Sequence, residues 1–222
     1  MDYNARMYDN LHAGVVQPDM DKEPQYWHTT IHDEFNWKIA PDFTLDELRL
    51  ICQAGTKIRS HVNEITDGRG SAWMNGYLGG TAFKHGEFPF THHSYVRGTT
   101  VLLRPAWQHN RDWTHIVHEL GHVYDDNTGG FCWAVICGGG NADRLQKVLG
   151  GHPTGVRFLN GTRGVPRDYR WPEGWYGNKA TAEYFAEAFM YMISDPGKVP
   201  GPANAVADVL QSFMIAEASN LP

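Results

Sequence analysis

His118-Glu119-Leu120-Gly121-His122 matches the His-Glu-x-x-His pattern and lies in a segment whose apolar residues recur at helical spacing. On a helix, residues four apart lie one turn apart on the same face, so both imidazoles can reach a single metal ion. The Glu119 carboxylate leaves the same side of the helix, where it can hold a water molecule beside that ion. With twelve histidines in 222 residues, the pattern can also arise by chance, so a third ligand has to be found elsewhere.

The residues around this pattern predict a helix that begins near Asn110 or Asp112 and ends at about residues 125–127. Its apolar contacts are Trp113, Ile116, Val117 and Leu120. A third histidine, His115, lies on nearly the same face and competes as a ligand. Three ligands from under two turns of one rigid helix cannot easily surround an ion tetrahedrally, so we predict that His115 has a packing role.

Residues 181–193 are apolar nearly all round when drawn as a helix, which indicates a buried element. Glu183 and Glu187 are the charged residues of this stretch, and they share one face. The alternative is a solvated stripe, but such a stripe would recur on the next turn, where Met190 and Tyr191 stand instead.

Buried carboxylates are costly unless they are hydrogen-bonded or bound to a cation. A zinc ion held by His118 and His122 would supply that cation. We therefore predict Glu183 as the third metal ligand and Glu187 as an acceptor that orients a ligand imidazole.

Other histidine pairs are interpreted as structural. His28 and His32 are also four apart, but the β-branched Thr-Thr-Ile between them disfavours a helix. His92 and His93 are adjacent, so in an extended chain they point to different sides and do not share a metal.

The composition predicts one domain, because 222 residues with 41% hydrophobic content can bury one good core. The net charge of -6 is spread without long runs, so we expect neither nucleic acid nor a membrane surface as a partner. No apolar stretch approaches the roughly 20 residues of a membrane helix. The first residues lack the apolar core of a signal peptide, so we expect a chain that is leaderless or already trimmed.

The chain order suggests an aromatic N-terminal arm, irregular or short-helical, over residues 1–40, packed on a domain at 41–222 with a long loop-rich insertion at 127–175. Thr44 and Glu47 form a capping-box pattern for a helix that would stop at Gly55. Residues 57–65 alternate well enough to predict a half-exposed strand.

The Gly-rich residues 66–98 suggest loops and short strands rather than helices. Residues 97–105 predict a strand that Pro105 ends, near a sheet edge.

Taken together, His118–His122 and the later Glu183-Tyr184-Phe185-Ala186-Glu187-Ala188-Phe189 resemble the catalytic domain of anthrax toxin lethal factor and the secreted Pro-Pro endopeptidases of the same zinc-peptidase clan. The resemblance covers roughly residues 44–215. It includes Gly98–Arg104, which is similar to the Gly-Ser-Thr loop and edge strand of those endopeptidases, and a C-terminal amphipathic helix carrying Ala205, Val206, Val209, Leu210 and Phe213.

This resemblance implies an α+β fold of the zincin-like metallopeptidase type: a small mixed sheet with an edge substrate strand, an active-site helix and a mainly helical C-terminal part. It implies a secreted, monomeric zinc endopeptidase of the gluzincin type, with one Zn²⁺ per chain and Glu119 as the catalytic base. Tyr176, seven residues before Glu183, falls where the family places its catalytic tyrosine.

An extended protein or peptide substrate would lie along the predicted strand, namely Gly98, Thr99, Thr100, Val101, Leu102 and Leu103. The sequence is compatible with a peptidase that requires proline around the cleaved bond and with one that does not. The alternative function is a catalytically silent, zinc-binding interaction protein that keeps the peptidase fold.

Overall fold

The computed structural model describes residues 22–87, 94–109, 111–128, 177–195 and 201–221, and these form an α+β fold. The helices in these ranges are α1 (Pro24–Phe35), α2 (Leu45–Ile65), α3 (Gly70–Tyr77), α4 (Trp113–Asn127), α5 (Gly177–Ser194) and α6 (Gly201–Ser219). The strands are β1 (Lys38–Ile39), β2 (Ala82–His85), β3 (Ser94–Arg97) and β4 (Thr100–Leu103).

The four strands form one mixed sheet in the order β1-β2-β4-β3. The first three strands of that order are parallel, and β3 runs antiparallel to β4 with Arg97 opposite Thr100. Gly98 and Thr99 make the turn between them, and Gly98 has a φ of 56°, a left-handed conformation that glycine adopts without strain. The predicted small mixed sheet is therefore confirmed.

The position predicted for the edge strand is wrong. β4 pairs with β2 on one side and with β3 on the other, so it is an inner strand. Pro105 stands two residues beyond Leu103, the last residue of the ladder, and so it interferes with no sheet hydrogen bond. The edge on this side of the sheet is β3.

The capping box at the start of α2 is confirmed, since Glu47 N–H donates to Thr44 Oγ1 at 3.4 Å and Thr44 N–H donates to Glu47 Oε2 at 2.8 Å. The predicted stop at Gly55 and the predicted strand at 57–65 are wrong, because α2 continues unbroken to Ile65. Gly55 is instead a contact point: a Cβ there would lie 2.7 Å from a ring carbon of Phe35. The buried residues beyond it keep helical spacing, at Ile58 and Val62.

Helix α1 covers residues 28–32. The expectation that the β-branched residues there disfavour a helix is therefore wrong. The buried side chains of α1 are Trp27, Ile31 and Phe35, so burial outweighs the weak propensity. Together with β1, α1 falls within the predicted arm and packs on the rest of the domain. Helix α3 likewise replaces part of the predicted loop region, while the short strands β2 and β3 are as expected.

The core joins the sheet to all six helices through large buried side chains. Tyr124 of α4 lies 4.9 Å from Trp73 of α3 and 5.8 Å from Phe189 of α5, measured between ring centroids. The predicted C-terminal helix is present as α6, with Leu210 and Phe213 buried. Within the described ranges, no helix combines the length and the apolar character that crossing a membrane needs. Residues 1–21, the connection at 129–176, and His92 and His93 lie outside those ranges.

Candidate active site

Helix α4 carries the His-Glu-x-x-His residues and begins and ends where the sequence predicts. Asp112 is its N-cap, and the Asp112 side chain accepts a hydrogen bond from Thr114 N–H at 2.9 Å. The buried face of the helix includes Ile116, Leu120 and Val123. A capped and packed helix of this kind holds its remaining side chains in fixed positions.

His118 and His122 lie one turn apart on α4 and are both half-buried. Their ring centroids are 5.0 Å apart, and the ring planes meet at 82°. Neighbouring imidazoles that are partly shielded from water are suitable ligands for zinc, so this pair fits the predicted metal. His115 lies with its ring centroid 5.8 Å from that of Trp107, in agreement with the packing role predicted for it.

Glu119, between the two histidines in sequence, has a side chain held inside the fold, with the residue only 5% exposed. Ser94 Oγ donates a hydrogen bond to Glu119 Oε1 at 2.5 Å. A short bond of this type to a carboxylate is strong and directional. Sequence reasoning missed Ser94, since only the pairing of β3 with β4 brings this residue, 25 positions earlier, against α4.

Helix α5 passes close to α4 at Gly121, the residue before the second histidine. A Cβ at Gly121 would lie 3.0 Å from the Ala186 Cα and 3.3 Å from Phe189, so a side chain at this position would meet the neighbouring helix. The predicted helix at 181–193 is confirmed, with Phe185, Ala186 and Phe189 buried.

The structure thus brings the backbone that carries Glu183 and Glu187 alongside the histidine helix. Ala186 is three residues after Glu183 and one before Glu187. The side chains of both glutamates lie outside the described residues, and so does Tyr176. Among the side chains that are described, no three His, Cys, Asp or Glu residues form a metal-binding group.

The residues predicted to bind substrate occupy two different environments. Gly98 and Thr99 form the turn, while Thr100–Leu103 form the inner strand β4, in which Val101 and Leu103 are buried. Among the described strands, the edge next to α4 belongs to Ser94–Arg97 instead. In that strand Tyr95 is exposed, with 48% of its surface accessible.

Comparison of the chain with protein-family models, with curated proteins and with solved structures finds no match.

Proposed function

We propose that this chain is a zinc-dependent endopeptidase of the gluzincin type, which hydrolyses peptide bonds in an extended protein segment. One observation carries the proposal: two half-buried imidazoles lie 5.0 Å apart on one helix, with a buried carboxylate at the residue after the first of them. A buried carboxylate beside two metal-ligand side chains is typical of metal-assisted hydrolysis.

In this proposal His118, His122 and Glu183 hold the metal, and Glu187 orients one of the imidazoles. A zinc ion bound there supplies Lewis-acid activation of water and of the substrate carbonyl. Glu119 takes a proton from the attacking water and delivers it to the leaving amine, since one carboxylate can serve both halves of the reaction. The Tyr176 hydroxyl donates a hydrogen bond to the oxygen that becomes negatively charged.

The substrate strand in this proposal is β3. An inner strand has its backbone N–H and C=O groups already paired, whereas an edge strand has one free row that can pair with a peptide. Within the described ranges β3 pairs on one side alone, with β4. Ser94 also places the start of β3 against Glu119, so a peptide added to this edge would run beside the base.

The test compares Glu119→Ala with Glu64→Ala, a matched removal of an exposed carboxylate on α2. Each protein is loaded with zinc, its zinc content is measured, and its cleavage of a mixed peptide library is followed by mass spectrometry. We expect Glu119→Ala to lower kcat/KM by about 10³-fold or more, because a general base typically contributes 10²–10⁴-fold. Zinc content should stay near that of the wild type, and Glu64→Ala should cleave normally.

Cleavage by Glu119→Ala at the wild-type rate would remove Glu119 from the mechanism. A wild-type protein that binds zinc but cleaves no member of the library would favour the interaction-protein alternative. The same library also reports the residues on both sides of the cut, and so it decides whether proline is required.

A further inference from the structure

The contact between Ser94 and Glu119 joins the edge strand to the helix that carries the proposed metal ligands. Ser94 is the first residue of β3, and Glu119 lies in the middle of α4. The 2.5 Å distance between Ser94 Oγ and Glu119 Oε1 is that of a charge-assisted hydrogen bond. Within the described part of the chain, the Glu119 carboxylate makes this one hydrogen bond.

The strand geometry points the Ser94 hydroxyl toward the helix. Side chains alternate along a strand, and β3 alternates half-buried and exposed residues, with Ser94 and Val96 half-buried. Tyr95 and Arg97 are the exposed pair. Ser94 is therefore on the face of β3 that packs toward the core, where its hydroxyl meets Glu119.

We propose that Ser94 is a positioning residue for the general base, and this inference rests on the proposed function. A glutamate side chain has three rotatable bonds, and a general base must lie within hydrogen-bond reach, about 2.6–3.2 Å, of the oxygen whose proton it takes. The Ser94 hydroxyl donates a hydrogen bond to Oε1 and so restricts the carboxylate to one orientation. Oε2 then stays available for the proton of the attacking water.

The same residue begins the strand along which the substrate is proposed to lie. Binding of a peptide to the β3 backbone and orientation of the Glu119 carboxylate therefore depend on one short segment. A small shift of this segment would misplace the base even if the peptide still bound.

The test separates positioning from a simple structural role by replacing Ser94 with Thr and with Val. These two side chains have the same shape and differ in the hydroxyl, and both are well suited to a strand. We expect Ser94→Val to lower kcat about 10- to 100-fold while KM changes by less than about threefold. Ser94→Thr should recover most of kcat, and Ser60→Ala, which removes an exposed hydroxyl on α2, should match the wild type.

A second measurement needs no catalysis. In the metal-free protein, Ser94→Val should lower the Tm when Glu119 is present and lower it less in a Glu119→Ala background, where the acceptor of this hydrogen bond is gone, because the double-mutant cycle isolates the contact. In a separate preparation loaded with zinc, all these proteins should bind the same amount of the metal.

The outcomes are distinguishable. If the wild type cleaves peptides and Ser94→Val keeps its kcat, the positioning role is wrong while the proposed function stands. If Ser94→Val and Ser94→Thr lose kcat equally, the hydroxyl is not the cause and the inference is again wrong. If the wild type cleaves nothing, the proposed function fails and this inference fails with it.

Discussion

Two buried carboxylates in this molecule are held in different ways. Glu47 of α2 is completely buried, and both of its oxygens are hydrogen-bonded. Oε2 accepts from Thr44 N–H and Thr44 Oγ1, each at 2.8 Å, and Oε1 lies 3.0 Å from His85 Nε2. Glu119 of α4 is almost as buried but is held through Oε1 alone, by Ser94, within the described ranges. The comparison separates a carboxylate that joins several parts of the fold from one that keeps an oxygen available, as the proposed role of Glu119 as a base requires.

His85 completes the environment of Glu47, and its neighbours favour the charged form of its ring. Its Nδ1 lies 2.9 Å from Asp42 Oδ2, so both ring nitrogens face carboxylates, and its ring stacks on Phe43 at 4.2 Å. A neutral imidazole has a single N–H, so hydrogen bonds to two carboxylates require the imidazolium. Burial alone would lower the pKa of His85, but the hydrogen bonds to Glu47 and Asp42 outweigh it and raise the pKa.

The largest expected effect on stability comes from removing Glu47. Glu47→Ala takes away the capping box and leaves the His85 imidazolium without its buried partner, which should cost about 3 kcal/mol of unfolding free energy. Urea unfolding followed by circular dichroism measures this. Asp46→Ala is the matched control, because its carboxylate is 74% exposed and should cost within about 0.5 kcal/mol. Equal losses in the two variants would contradict the structural role of Glu47.

A smaller effect should appear as pH dependence. Because the folded pKa of His85 is raised, its contribution to stability is fully present below the usual value of 6.5 and is lost as pH rises through the folded pKa. The pKa of Asp42 is lowered, first by its hydrogen bond to His85, so that contribution is lost as pH falls through the folded pKa of Asp42. The pair should therefore stabilise most between about pH 4 and 6.5.

The measurement is the difference in Tm between the wild type and His85→Gln from pH 4 to 9. A difference curve is needed because burial lowers the pKa of His28 and of His61, and these contributions to stability run in the opposite direction. We expect the wild-type advantage to shrink above pH 6.5. A constant advantage across this range would mean that His85 is not charged in the fold.

The smallest expected effect on stability is that of Glu119→Gln. Glutamine keeps the shape of the side chain, and its amide oxygen can still accept from Ser94, so unfolding free energy in the metal-free protein should change by less than about 1 kcal/mol. Urea unfolding beside Glu47→Ala gives the comparison directly. A loss as large as that of Glu47→Ala would assign Glu119 to the fold rather than to a reaction.

The sequence predicts the features that depend on residues close together in the chain, and it does not predict those that depend on distant partners. The capping box of Thr44 and Glu47 and the shared face of His118 and His122 both follow from helix geometry. Gly55 suggests a helix end when the sequence is taken alone, and its actual role, a close contact with the Phe35 ring of another helix, is visible only in the fold. The inner position of β4 and the contact of Ser94 with Glu119 depend in the same way on strand pairing, which no local pattern records.

Gly121 occupies a position that the His-Glu-x-x-His pattern leaves unspecified, yet α5 approaches it so closely that an added methyl group would lie 3.0 Å from the Ala186 backbone. A saturation mutagenesis map of this chain should therefore show intolerance at Gly121 comparable to that at the two histidines. Such a map records where helices meet as well as where metal ligands lie, and so it would overstate the size of the proposed metal site.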